Sequence, residues 1–202
     1  MTTPYLHITL CSQRLNQITH APHDQLDKTI KAYAPFETLA SYTRFVSAQY
    51  LFQAELQSLY KDPALRKLFA DLPERCRAEQ ARADLVDLGV EPPRLETGAQ
   101  LTPSMAEALG WLFVSEGSKL GAAFLIKRAV GLGLSEQFGA RHLGEPAGGR
   151  AAGWKRFISI LDSLPLTNEQ ETQLNQGALA AFERFNVLLR QAYAQASGIE
   201  VA

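Results

Sequence analysis

The sequence predicts an all-α, single-domain protein. Apolar residues recur at helical spacing through nearly the whole chain, strand-like alternation is nowhere sustained, and proline or glycine marks the breaks between periodic stretches. At 202 residues the chain suits one domain with a sizeable core. The first periodic stretch includes Leu15 to Asp27 and contains Pro22. A proline inside a helix removes a backbone donor, so the spacing predicts either a bend before His23 or a new helix with Thr19 near its cap.

A second helix is expected from about Glu37 to Tyr60, where Tyr42, Phe45, Gln49, Phe52, Leu56 and Tyr60 form one stripe. Helical patterns then follow at about 62–71, 74–88, 103–130, 150–163 and 168–196. Pro35, Pro73, Pro92-Pro93, the Gly98 region, Gly131 with Gly133, Gly148-Gly149 and Pro165 separate them. Thr102-Pro103-Ser104, with Glu107 after it, makes a good start for the helix at 103–130. The domain is expected to span residues 12–196, with 1–11 and 197–202 as extended termini.

Composition removes several classes of protein. Charged residues are 20% and the net charge is -1, so neither disorder nor a nucleic-acid footprint is implied. Only Cys11 and Cys76 are present, in no paired motif, which excludes a zinc-finger or iron–sulfur framework. No basic segment followed by an apolar run opens the chain, and its end is small and polar. A cytoplasmic protein with no membrane anchor is expected.

The most informative stretch is Gly110-Trp111-Leu112-Phe113-Val114-Ser115-Glu116-Gly117-Ser118-Lys119-Leu120-Gly121. Its three glycines fall within about 40° of one another on a helix, although each glycine costs roughly 1 kcal/mol there relative to alanine. A bare backbone stripe admits either a large flat ligand or a second helix at very close range. Spacing alone does not choose between them.

The other informative segment is Leu15-Asn16-Gln17-Ile18-Thr19-His20-Ala21-Pro22-His23-Asp24-Gln25-Leu26-Asp27. Together with the glycine helix it resembles the heme oxygenases, particularly the bacterial iron-acquisition branch. The resemblance continues through Arg44 to Gln53, Ala83 to Gly89, Phe138 to Leu143 and the pair Phe182 and Phe185, in the family's order. It implies a helical bundle that holds heme between a proximal N-terminal helix and a glycine-rich distal helix. Thr19 to His23, with Asp27 one turn on, matches the proximal motif and makes His23 the implied iron ligand. His20 lies three residues earlier, and a His-x-x-His zinc pair lacks any supporting ligand.

Gly117-Ser118-Lys119-Leu120-Gly121 matches the distal core, where Gly117 and Gly121 would let the backbone approach the ring. Ser118, Gln49 and Arg77 are the implied anchors of a distal water network. Asn16, Lys31 and Arg128 are implied partners of the heme propionates, and some related enzymes have lysine where this chain has Arg128. Phe113, Phe124, Phe182 and Phe185 would line the pocket. The basic segment 119–156, with seven cations against two carboxylates, would hold propionates and steer an acidic redox partner.

The function implied is oxidative opening of heme, as both substrate and prosthetic group, with dioxygen, to biliverdin, carbon monoxide and ferrous iron. Such a reaction releases iron from acquired heme. The glycines lie inside helices rather than after a strand, so no nucleotide-binding loop is present. Electrons are therefore expected from an external ferredoxin or flavoprotein reductase. A non-catalytic heme-binding protein would also need His23 and a pocket, but not the open glycine stripe. A helical interaction domain without heme would use the glycines only for packing.

Overall fold

The computed structural model describes residues 10–95 and 101–194. Nine α-helices and one 3-10 turn, Arg141–Leu143, account for the regular structure of these residues. The Gly98 region lies outside them. The helices are α1 (Cys11–Tyr33), α2 (Leu39–Glu55), α3 (Gln57–Lys61), α4 (Pro63–Leu68), α5 (Leu72–Arg75), α6 (Ala78–Asp87), α7 (Met105–Val130), α8 (Arg150–Ser163) and α9 (Asn168–Ala194).

α1 corrects one expectation. It runs unbroken through Pro22, so no new helix starts there and Thr19 is not a cap. The Thr19 hydroxyl instead donates to the Leu15 carbonyl at 2.7 Å, inside a helix whose buried face carries Cys11, Ser12, Leu15 and Thr19. The expected helix over 37–60 is divided at Leu56 into α2 and α3. The stretch at 74–88 is likewise divided, because Arg77 has a non-helical backbone conformation before α6. α7 begins as its sequence predicts, with the Ser104 side chain and the Glu107 carboxylate closing a capping box.

α9 is the central element. α7, α2 and α1 pack along it, and α8 covers parts of α7 and α1. Tyr42, Tyr60, Phe45, Phe69, Phe157, Leu15 and Leu112 are among the fully buried core side chains. α7 is long and apolar enough to cross a bilayer by length and composition, yet half of that window is buried in this fold. Its apolarity serves a core helix.

α7 and α9 approach each other closely. A Cβ on Gly110 would lie 2.1 Å from the Leu174 carbonyl oxygen, and one on Gly177 would lie 2.1 Å from that of Glu107. Gly110 therefore belongs to a helix crossing, not to a ligand-facing stripe. α1 is tied at both ends. Ser12 donates its backbone N–H and hydroxyl to Asp162 of α8 at 2.7 Å each, and Tyr33 stacks on Tyr193 of α9 at 4.2 Å between centroids. Packing between α1 and α7 themselves is sparse, although both lie on α9.

Candidate functional site

The middle of α1 presents His23 to solvent. The edge of its ring meets Phe182 of α9, with centroids 6.1 Å apart and planes at 72°. No side-chain hydrogen bond or ion pair joins the His23 imidazole to another described residue, Asp27 included. His20 is different: its imidazole faces Asp24 at 3.5 Å on the exposed surface. Asn16 is exposed seven residues before His23, which puts it on the same helical face. Lys31 is exposed in the last turn.

On α7 the glycines separate by role. A Cβ at Gly117 would meet only the Trp154 ring, at 3.5 Å, and one at Gly121 would meet nothing within 4 Å. Phe113, one turn earlier, packs on Trp154 at 5.1 Å between centroids. Trp154 thus walls the stripe at Gly117 and leaves it open at Gly121. Phe124, 73% exposed, stands beyond the open part. Phe185 is buried against Phe52 at 5.4 Å between centroids. Arg128 lies over the Phe36 ring at 4.7 Å, which ties the end of α7 to the turn after α1.

Behind this stripe α7 carries polar groups. Ser115 and Glu116 are buried, and each has partners, as buried polar atoms require. Gln53 donates to Ser115 Oγ at 2.9 Å, and Tyr60 OH lies 2.8 Å from Ser115 Oγ and donates to Glu116 Oε1 at 2.8 Å. Arg75 donates to Glu116 Oε2 at 3.0 Å, and Lys119 joins Glu116 and the Arg75 carbonyl. Burial pushes the Tyr60 pKa well up, with the Glu116 charge adding to it. Burial likewise pulls Lys119 down, against the opposing pull of Glu116.

The anchors implied by the resemblance are partly gathered here. Arg77 donates its backbone N–H to Gln53 Oε1 at 3.1 Å and its guanidinium to the Gly144 carbonyl at 3.3 Å. Ser118 donates its hydroxyl to the Ser115 carbonyl at 2.7 Å. Gln49 is half-buried one turn before Gln53 and forms no side-chain hydrogen bond with the described residues. Gln53, Tyr60, Ser115, Glu116, Arg75 and Lys119 were not singled out as site residues from sequence. The signal was present: Ser115-Glu116 interrupts an apolar helical run, and buried polar residues demand partners.

A half-open cavity of about 460 Å³ lies between α1 and α9, lined by Pro22, Gln25, Leu26, Leu179, Ala180, Phe182, Glu183 and Asn186. By helical spacing it is on the flank of α1 turned away from Asn16 and Lys31. Among the described residues no group of three or more histidine, cysteine, aspartate or glutamate side chains is arranged to hold a metal ion. The imidazole of His23 is exposed and unpaired on α1, and the backbone of α7 is open at Gly121; a lone imidazole suits a metal carried by a planar ring.

Comparison with known proteins places this helical bundle in a heme-degrading class. The heme oxygenase family model matches residues 9–191, and the chain belongs to that family. It is 53% identical over 186 residues to the heme oxygenase PigA of Pseudomonas aeruginosa, covering 92% of this chain and 94% of that one. A structure of the NO- and CO-bound heme oxygenase from Neisseria meningitidis superposes with a TM-score of 0.85 at 35% identity, over 96% of both chains. Heme oxygenase 2 from Chlamydomonas reinhardtii, solved without heme, shares the fold alone, at 16% identity and a TM-score of 0.71, over 90% of this chain and 97% of that one.

Proposed function

We propose that this heme oxygenase opens heme between α1 and α7, with His23 as the proximal ligand and Gly117 and Gly121 on the distal side. The observation that carries the reading is the open backbone at Gly121, where an added Cβ would meet nothing within 4 Å. The residues fit the group. A neutral imidazole with no competing partner is a good iron ligand, and a stripe without side chains accepts a flat macrocycle.

Bound heme supplies the iron that activates dioxygen and the meso carbon that is attacked. The protein supplies direction and exclusion. Gly121 leaves room on one side, whereas the Trp154 ring closes the approach at Gly117, so reaction is steered to one part of the ring edge. No acid–base side chain projects from these two positions to compete for the proton or the oxygen. Ser118 and Arg77 anchor ordered water that delivers protons. Asn16 and Lys31 on α1 and Arg128 on α7 take the propionate end, where exposed cations pair readily with carboxylates.

Electrons come from a separate donor, a ferredoxin or a flavoprotein reductase, and the reaction proceeds in the cytoplasm to release iron. Hemin titration followed by aerobic turnover with ascorbate tests this. A Soret band that appears on mixing and is lost as biliverdin forms supports it. A stable Soret band would make the protein a heme carrier, and no Soret shift would remove heme from the account.

A further inference from the structure

The buried polar groups behind α7 have a direction. Tyr60 has one hydroxyl proton and donates it to Glu116 Oε1 at 2.8 Å. The contact between Tyr60 OH and Ser115 Oγ, also 2.8 Å, must then carry the serine proton. Ser115 Oγ is in turn the acceptor for Gln53 Nε2 at 2.9 Å, and Gln53 Oε1 accepts the Arg77 backbone N–H at 3.1 Å. Every donor from Arg77 through Gln53, Ser115 and Tyr60 therefore points towards one carboxylate.

Glu116 is 3% exposed, so this orientation is enforced rather than averaged by solvent. Arg75 and Lys119 close on the same carboxylate, and Arg75 reaches exposed Asp71 at 2.9 Å. An ionised carboxylate only accepts, so it fixes the sense of the whole chain. Two ends of this arrangement touch the proposed distal side. One is Arg77. The other is the turn in which Ser118 is bonded to the Ser115 carbonyl and Gly117 directly follows Glu116.

We infer that Glu116 is a positioning residue for heme opening: it sets the sense of the Arg77–Gln53–Ser115–Tyr60 hydrogen-bond chain and thereby holds Arg77 and the Ser115–Ser118 turn in one arrangement. The inference rests on the reading that α7 covers the distal face of heme. Glu116 touches neither ring nor oxygen. It acts through the chain.

Glu116→Gln keeps the shape but lets the side chain donate as well as accept, so the sense is no longer fixed. Tyr60→Phe cuts the chain one link away and leaves the Arg75–Glu116–Lys119 charges in place, so it carries the test should Glu116→Gln fail to fold. In each variant turnover should fall roughly tenfold, while hemin affinity changes far less. The pH transition of the ferric heme spectrum should shift to lower pH in Glu116→Gln, because a buried anion that disfavours a bound hydroxide is gone. The double variant should be no worse than the poorer single one, since both cut the same chain. Normal turnover in a hemin-binding Glu116→Gln or Tyr60→Phe protein would overturn the role of Glu116, as would an unmoved transition in Glu116→Gln or fully additive losses. Failure of the unaltered protein to bind hemin would instead overturn the reading of the site.

Discussion

Gly110 and Gly177 hold α7 and α9 together by mutual absence of side chains: each would drive a Cβ to 2.1 Å from a backbone oxygen of the other helix. Backbone cannot rotate aside as a side chain does, so a methyl at either position must push the helices apart. Gly110→Ala or Gly177→Ala should therefore cost about 3 kcal/mol or more, the upper end for overpacking. For a chain of this size that lowers Tm by roughly 6–12 °C. A calorimetric scan showing an unchanged Tm would refute the crossing.

Gly121 predicts the opposite separation. With open space around it, Gly121→Ala should stabilise the heme-free protein by up to about 1 kcal/mol through helix propensity. Gly121→Leu should likewise fold normally. Hemin affinity or ring opening should fall in both, more in the leucine variant. Parallel loss of thermal stability and activity would show that Gly121 packs a helix.

Much of this was legible in the sequence. The helices at 103–130, 150–163 and 168–196 match α7, α8 and α9 closely, because capping and breaker residues mark their ends. The two uses of the glycine row were not separable, since Gly110, Gly117 and Gly121 share a face and only the tertiary partner differs: α9 for the first, Trp154 for the second, open space for the third. Phe185 was equally ambiguous, and its place against Phe52 is set by how α2 meets α9. The cluster around Glu116 joins α2, α3 and α5 to α7, some forty to sixty residues on, so periodicity within one helix does not reveal it. The unbroken course of α1 through Pro22 reflects its ties to α8 and α9, which outweigh the local loss of one backbone bond.

Alkaline stability tests the buried tyrosines. Burial raises Tyr60 well above its ordinary pKa of 10.0, and Tyr42, beside Asp84 and donating to the Gly139 carbonyl, is raised as well. A group with a raised folded pKa contributes stability that is complete below the unfolded value and is lost as pH rises beyond it. Stability should hold up to about pH 10 and fall above it. Tyrosinate absorbance from these two residues should appear together with loss of helical circular dichroism. The slope should be shallower in Tyr60→Phe. Titration of all tyrosines with helicity intact would contradict their burial.

Product regiochemistry tests the proposed propionate end. Arg128 is anchored over Phe36 at 4.7 Å, and Asn16 shares the face of His23. If these two seat the heme, the product should include biliverdin isomers other than α, and the combined change Asn16→Ala with Arg128→Ala should move it towards α. Chromatography of the isomers decides this: pure α from the unaltered protein would assign the seating to Lys31 or another group.

The central claim is that the one exposed, unpaired imidazole of α1 ligates the heme iron. The most direct measurement is the absorption spectrum and aerobic turnover of hemin-loaded His23→Ala. The apolar walls remain, so heme should still bind, more weakly and with an altered spin state. Turnover should largely disappear, and added imidazole should partly restore it, whereas His20→Ala should behave as the unaltered protein does. A His23→Ala variant with unaltered spectrum and turnover would contradict the account.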